Sequence, residues 1–476
     1  MFKFFPRQMS VALLAAGVLS GCSLTPQFVR PDAPVASAYP AAAGGQSALE
    51  ASALGWRQFF PDQRLQGLIA AALDNNRDLR IAASRIGEAR ALYNIQSADL
   101  LPTVNGIAGA SRARTAESQS PTGRGIISNN YQVGLSLASF ELDFFGRVRS
   151  LNDAALSQYL ATAEARQAVQ ISLVAEVAKA YLAERSFAEQ QVIAQQTLEG
   201  RQTAYGLAQK RFEVGASSAL DLRLNETLVQ SARVSTLTLT RQRAQAENAL
   251  TLLVGAPLVN LPPAPTLSEQ NIVTDIPAGL PSDLLTRRPD IRAAELRLKA
   301  TNANIGAARA AFFPRISLTA GFGTASNALS GLFDAGSLTW SFGPQLLLPI
   351  FDAGRNKNNL NLAEVRKEIA VSDYERTIQV AFREVADALV ARGSLAEQVD
   401  AQRLVLEAQA ERFKLADLRF RNGVSSSLEV LDAQRELFTA QQSLIQTRLL
   451  RLTNAIDLYR SLGGGLNETT ATAAVK

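Results

Sequence analysis

Four stretches of the chain alternate apolar residues with small or polar residues, which is the two-residue period of a β-strand. The alternation is weak in 103–111 and clear in 131–138, 315–323 and 337–343. In RISLTAGFG (315–323) the apolar positions are Ile316, Leu318, Ala320 and Phe322. A transmembrane β-strand needs one such apolar face. A half-buried strand of a soluble protein has the same pattern, so the period alone does not decide between these two kinds of strand.

The segments that follow the strands predict very long helices. Proline is absent from 122–256 and from 350–476. A helix of roughly 65 residues would be about 100 Å long, which favours coiled-coil packing or a spanning shaft. Two adjacent apolar stripes recur there at helical spacing: Ile171, Val174, Ala178 and Tyr181 beside Leu173, Val177, Ala180 and Phe187. Two stripes favour a closed ring of helices, and a two-helix hairpin with one broad seam is the alternative.

The chain is an internal duplication with a domain-sized period. The sequence DLR at 78–80 matches DIR at 290–292, and LP at 101–102 matches FP at 313–314, both at an offset of 212 residues; Arg147 matches Arg355 at an offset of 208. A period near 210 is far too long for a solenoid repeat. Each copy predicts a helix (about 62–100 and 288–312), then two strands, then a long helical hairpin.

Each hairpin contains the same short turn, RFEVGASSALDLR at 211–223 and RFRNGVSSSLEVLDAQRE at 419–436. Gly215 and Gly423 are expected to supply a positive φ that ends one helix. Two serines followed by acids, Ser218 with Asp221 and Ser426 with Glu429, predict capping boxes that begin the next helix.

The second turn adds two charges that the first turn lacks. Asp432 corresponds to Leu224 in the first copy, and Arg435 corresponds to Thr227. At i and i+3 the two can pair with each other or across a subunit boundary. An exposed helix pair is the simplest interpretation, and a ring of like charges around a narrow mouth is the functional alternative.

Composition argues against an enzyme. The 476 residues include no histidine and one cysteine, Cys22. This removes a histidine base, a His/Cys metal site and a thiol redox pair, and no clustered acidic loop replaces them. No catalytic residue, metal or cofactor is therefore predicted. The net charge is only +5, and the basic residues are interspersed with acidic ones. A nucleic-acid partner is therefore not expected either.

The first 22 residues, MFKFFPRQMSVALLAAGVLSGC, resemble a bacterial lipoprotein signal. Lys3 and Arg7 precede a short apolar run, and Leu19-Ser20-Gly21-Cys22 resembles a lipobox whose cysteine becomes acylated. An ordinary secretory signal with an incidental cysteine is the alternative. Ser23, rather than aspartate, follows the cysteine, and the sorting pattern of such lipoproteins then implies the outer membrane.

Four strands are too few for a membrane sheet made by one chain. A sheet in the bilayer cannot leave an edge unpaired, and the smallest common transmembrane barrel has about eight strands. Either the strands lie outside the membrane, or several chains build one barrel. The lipid anchor and the shaft-length helices favour the shared barrel.

The sequence resembles the TolC-like outer-membrane efflux protein family, and within it the OprM-type lipoprotein branch. The resemblance covers nearly the whole chain. It rests on GCSLTPQFVRPDAPV after the signal, the duplication, FELDFFGRVRS with LPIFDAGRNKNN, both glycine turns and the terminal LYRSLGGG. The individual motifs are modest, but their order and spacing are specific.

The resemblance implies a mainly α fold with a transmembrane β portion. Three chains would form a homotrimer with a 12-stranded β-barrel, continuous with a periplasmic α-helical barrel. This duct would dock a periplasmic adaptor protein and an inner-membrane RND-type pump, and the acylated Cys22 would bind outer-membrane lipid. Its expected function is to conduct multidrug-type substrates passively, without catalysis.

The resemblance also implies a closed periplasmic mouth at the helix tips. In the family this mouth is lined by residues that match Leu428, Asp432 and Arg435. Glu429, Asp221 and Arg223 are further candidates. The family's gating tyrosine is Phe420 here and its lock arginine is Ser425, so Arg435 is expected to supply the bonds of the lock.

These features predict a division of the chain into six segments. They are a signal peptide (1–21), a lipid-anchored extended segment (22–61), a first repeat (62–260, strands about 103–142, tip 213–218), an equatorial connector (261–287), a second repeat (288–463, strands about 315–350, tip 421–426) and a disordered tail (464–476). The loops 117–127 and 326–337 are expected to face outside.

Two other functions stay open at this point. An exit duct is generic and the pump selects the cargo, so type I protein secretion or metal-ion export is an alternative. A non-conducting coiled-coil lipoprotein that links envelope layers is an alternative of a different class, although it would need no amphipathic strands.

Overall fold

A computed structural model describes residues 23–39, 52–121, 123–259, 261–274, 276 and 281–470. The signal peptide and Cys22 lie outside these residues. The α-helices and strands of the described residues are, in chain order, α1 (Trp56–Phe59), α2 (Gln63–Asn75), α3 (Arg77–Ala98), β1 (Val104–Thr115), β2 (Ile126–Leu142), α4 (Arg147–Glu213), α5 (Ala219–Val254), α6 (Pro281–Arg287), α7 (Pro289–Ala310), β3 (Arg315–Ser326), β4 (Leu338–Leu347), α8 (Arg355–Arg421) and α9 (Ser427–Ser461).

The duplication is visible in the order of the elements. In each copy a helix is followed by two strands and then by a pair of long helices. The first long helix of each pair, α4 or α8, has 67 residues. The fold class predicted from the sequence is thereby confirmed, because proline-free heptad segments form the long helices and the alternating segments form the strands.

The four strands form one antiparallel sheet in the order β1-β2-β3-β4. Its register places apolar partners together on one face, such as Leu135 opposite Phe322 and Ala320 opposite Phe342. The register between β2 and β3 shifts between Leu137 and Phe140, at a bulge where Ser139 has a φ of +46°. One face of the sheet is thus mainly apolar across β2, β3 and β4, as the two-residue period predicted.

Contacts divide the chain into two compact units, and each draws on both repeats. One contains the strands: Met1–Pro31, Arg85–Thr162 and Ala293–Tyr374. The other contains the helix tips: Asp32–Ser84, Ala163–Arg292 and Glu375–Lys476. Among the described residues, no helix combines the length and the apolarity that a membrane span requires.

The first predicted helix, about 62–100, is interrupted in the structure. Asn76 is extended (φ −59°, ψ 131°), and its side chain accepts a hydrogen bond from the Leu79 N–H. Asparagine competes with the helix in this way because its side chain can satisfy a backbone donor. The same break recurs in the second copy, where Arg288 separates α6 from α7.

Residues 464–470, predicted as part of a disordered tail, are instead hydrogen-bonded to the start of α1. The Trp56 and Arg57 N–H groups donate to the carbonyls of Asn467 and Glu468, at 2.9 and 3.2 Å. The Arg57 guanidinium also pairs with the Glu468 carboxylate at 2.6 Å. Polar composition suggested disorder, but these bonds join sequence-distant backbone, which composition does not encode.

Candidate functional site

The first hairpin tip joins α4 to α5 through a tight glycine turn. Gly215 has a φ of +74°, and the Ala216 N–H donates to the Arg211 carbonyl at 2.7 Å. The Ser218 hydroxyl then accepts from the Asp221 N–H at 3.1 Å, while the Asp221 carboxylate accepts from the Ser218 N–H at 3.4 Å. Helix α5 therefore begins with the capping box that the sequence predicts.

The second tip has the same turn but lacks the second capping box. Gly423 also has a φ of +74°, and the Val424 N–H donates to the Arg419 carbonyl at 2.9 Å. Ser426 has the extended backbone of an N-cap, yet its side chain makes no capping hydrogen bond. The predicted box with Glu429 is wrong, because Glu429 lines an open groove of 630 Å³ beside Arg412 and Arg419 instead.

This difference between the tips gives a matched pair of substitutions. Ser218→Ala removes a capping interaction worth about 1 kcal/mol, so the amides of residues 219–222 should exchange with solvent about fivefold faster. Ser426→Ala removes a hydroxyl that caps nothing and should leave exchange at 427–430 unchanged. Equal changes in both variants, measured by hydrogen-exchange mass spectrometry, would contradict the assignment.

Asp432 lies between two arginine side chains. Arg435, on the same helix, donates from Nη2 to Oδ1 at 2.5 Å. Arg412, on the facing helix α8, donates from Nη2 to Oδ2 at 2.6 Å. The Arg412 bond crosses the hairpin and ties α8 to α9 within three helical turns of the tip.

Arg412 is the residue of this cluster that the sequence did not single out. It lies eleven residues before Gly423, and Asp432 lies nine residues after it. In an antiparallel hairpin, residues at similar distances from the turn face each other, so this spacing is the signal that could have identified Arg412. The first hairpin lacks the whole cluster, since Ala204, Leu224 and Thr227 occupy the corresponding positions.

The other gate residues predicted from the sequence form no ion pair or side-chain hydrogen bond with Asp432. The Asp221 side chain caps α5, and Arg223 pairs with Glu226 on the same helix at 2.6 Å. Leu428 is 60% exposed. The structure therefore brings Asp432 and Arg435 together and leaves Asp221 and Arg223 in local contacts within α5.

Two further arginines make contacts near the tips, Arg211 between the two hairpins and Arg201 within the first hairpin. The Arg211 guanidinium lies 5.5 Å from the centre of the Phe420 ring, a cation–π contact between the two tips. Arg201 on α4 is buried, with 6% of its surface exposed, and its Nη1 donates to the Leu228 carbonyl at 3.0 Å. Burial, and after it the positive charge of Arg435, lower the pKa of the Arg201 guanidinium.

The chemistry of this site is ion pairing between helices. The part of the chain that the structure describes contains no group of three or more metal-ligating side chains. Exposed ion pairs contribute roughly 0 to 1 kcal/mol each, so they can break and re-form without unfolding either helix.

Comparison with known proteins agrees with the architecture. A family model described as Outer membrane efflux protein matches residues 68–256 and 280–464. The antibiotic efflux pump outer membrane protein ArpC of Pseudomonas putida is 46% identical over 464 residues, 97% of this chain and 96% of ArpC. The toluene efflux pump outer membrane protein TtgF of Pseudomonas putida is 48% identical over 467 residues, 96% of both chains.

A solved structure gives the same result at the level of the fold. The open state of the MtrE outer membrane channel from Neisseria gonorrhoeae is similar with a TM-score of 0.87 and 42% identity. The match covers 95% of this chain and all of the MtrE chain (100%). With the duplicated hairpins, the four-stranded sheet and the family match over most of its length, the chain belongs to the outer membrane efflux protein family and is a non-enzymatic outer-membrane channel of efflux pumps.

Proposed function

We propose that the chain is the exit duct of a tripartite pump that expels antibiotics and apolar solvents. An inner-membrane RND-type pump would deliver the substrates through a periplasmic adaptor, and the duct would conduct them passively. The observation that carries this proposal is near-complete coverage of ArpC and TtgF, whose names state antibiotic and toluene efflux. Nothing in the helix tips favours protein or metal-ion cargo.

The proposal includes a homotrimer with a shared 12-stranded barrel, which the open edges of the sheet support. Strands β1 and β4 are its two edges, so each has one side without a partner strand in this chain. Apolar side chains on the edge strand β4 are exposed, and Trp340 is 75% exposed. Pairing β4 of one chain with β1 of the next would satisfy both edges and place the apolar face against lipid.

The periplasmic gate is proposed at the second hairpin tip. Asp432 and Arg435 are its central residues, with Leu428 nearby, and Arg412 joins them through its bond to Asp432. Glu429, Asp221 and Arg223 would contribute charge around the mouth. Three copies of the cluster would line the mouth, which would close when the two hairpins lie together and open when they separate.

The lipid anchor and the division of the chain as far as residue 463 remain part of the proposal. Acylation of Cys22 would fix the N-terminus in the outer membrane. The segment just after it packs on α7 in the same unit: Asn302 Nδ2 donates to the Pro26 carbonyl at 2.8 Å, and Arg30 pairs with Glu295 at 2.9 Å. These contacts would hold the anchored segment close to the start of β3.

Deletion of the gene should lower tolerance of antibiotics and toluene several-fold, because the pump would then have no outlet across the outer membrane. The measurement is the minimum inhibitory concentration of several antibiotics, with survival after a toluene challenge. The wild-type gene supplied on a plasmid should restore both. Unchanged tolerance together with lost protein secretion or metal resistance would overturn the proposed cargo.

A further inference from the structure

Arg201 is a buried cation without an ionic partner. Only 6% of its surface is exposed, and it forms no salt bridge with any residue that the structure describes. Its Nη1 reaches the Leu228 carbonyl, but its buried Nε has no hydrogen-bond partner. A buried charge that is neither paired nor fully hydrogen-bonded is strongly destabilising.

The duplication shows that the fold does not require a charge at this position. The corresponding residue of the second hairpin is Gln409, which is neutral. Helix α8 extends as far as α4, with 67 residues each, so a glutamine there is compatible with the same helix. Burial of the Arg201 charge therefore destabilises the protein without a visible gain in the stability of α4.

The buried charge lies where α4 packs against α9. A Cβ atom on Gly200 would lie 3.7 Å from the Gln434 Nε2, so the two helices approach closely at this level. Arg435 is the next residue along α9, and its charge acts on Arg201. Arg412 and Arg435 both pair with Asp432, and Arg435 also pairs with Glu436, whereas Arg201 has no acidic partner among the described residues.

We propose that Arg201 is a positioning residue whose uncompensated charge biases the periplasmic mouth toward opening. Its repulsion of Arg435 opposes the packing of α9 against α4 in the closed arrangement. Separation of the hairpins relieves the repulsion and gives the Arg201 guanidinium access to water. The inference rests on the proposed gate, in which the Arg412–Asp432–Arg435 cluster closes the mouth and Arg201 limits how firmly it closes.

The test is Arg201→Gln, which places the residue of the second hairpin in the first. In planar bilayers the frequency of the open state should fall about tenfold, the equivalent of one modest electrostatic contact. The thermal midpoint of the purified full-length protein should rise by about 3 °C. Arg201→Lys keeps the charge and should open as often as the wild type.

A double-mutant comparison identifies the target of the charge. If Arg201 acts on Arg435, Arg201→Gln should have no further effect on opening in an Arg435→Gln background. An undiminished effect there would overturn the pairing. The inference also fails if Arg201→Lys closes the channel as much as Arg201→Gln, because the hydrogen bond to Leu228 would then explain the effect.

Two outcomes separate this inference from the proposed gate. A fall in the thermal midpoint of Arg201→Gln would show that Arg201 has an acidic partner in the assembled channel, which overturns the inference and leaves the gate intact. If Asp432→Asn also leaves conductance unchanged, the gate is the part that fails. A raised midpoint for Arg201→Gln would still show that the buried charge is uncompensated.

Discussion

Asp432→Asn is expected to raise the single-channel conductance of the purified protein in planar bilayers. The carboxylate accepts from Arg435 on its own helix and from Arg412 across the hairpin, so the substitution removes both ion pairs and leaves a single neutral acceptor oxygen. It also leaves two cations facing each other at the tip. The closed arrangement therefore loses its cross-helix tie and gains repulsion.

The size of the effect follows from the number of exposed pairs. Each exposed ion pair of Asp432 contributes about 0.5 kcal/mol, and a trimer would contain six such pairs. The closed state would therefore lose about 3 kcal/mol of stabilisation. That corresponds to roughly a hundredfold change in the ratio of closed to open channels. Arg412→Gln removes one pair in each chain and should give an intermediate increase.

A control on the same helix separates gating from loss of surface charge. Arg403 pairs with Glu407 within α8 at 2.7 Å and makes no bond to α9. Arg403→Gln removes the same charge as Arg412→Gln without cutting the hairpin tie, so its conductance should match the wild type. If Asp432→Asn conducts like the wild type, the gate does not lie in this cluster.

The parts of this molecule that could be predicted are those encoded by neighbours in sequence. The period of 315–323 gave strand β3, and proline-free heptads gave α4 and α8. The pairing of Asp432 with Arg435 was equally accessible, because residues at i and i+3 meet on any helix. Such features depend on the backbone period and need no knowledge of the tertiary fold.

The parts that were missed depend on which helices face each other. Arg412 became part of the site only through the packing of α8 on α9. Its distance from Gly423 along the sequence, which is similar to that of Asp432, is the signal that could have indicated this contact. The burial of Arg201 likewise depends on helix packing, because its Nη1 bonds to the Leu228 carbonyl on α5. Arginine is seldom fully buried unless it is paired, and the sequence alone did not single out Arg201.

Capping shows how a correct local rule can fail in one of two copies. Ser218 and Ser426 have the same spacing to an acid, and both have extended N-cap backbones. The Asp221 side chain bonds back to Ser218, whereas Glu429 lies in the groove beside Arg412 and Arg419. The motif alone does not distinguish these two local arrangements.

Gly323→Val should abolish assembly of the folded channel, in contrast to what strand propensity predicts. Valine favours strands by up to about 1 kcal/mol over glycine. Gly323, however, pairs directly with Gly134 across β2 and β3, and a Cβ on it would lie 2.3 Å from the Val133 carbonyl oxygen and 2.6 Å from the Gly134 Cα. Both obstacles are backbone atoms, so no side chain can move aside.

Gly106→Val is the matched control, because it also places valine in a strand of the same sheet. A Cβ on Gly106 meets nothing within 4 Å, so this variant should assemble normally. The measurement is the fraction of outer-membrane protein whose gel migration changes on heating, which should fall more than tenfold for Gly323→Val alone. Normal migration of Gly323→Val would show that β2 and β3 do not approach this closely. The two glycines would then be replaceable, and closure of the sheet would have to depend on other contacts.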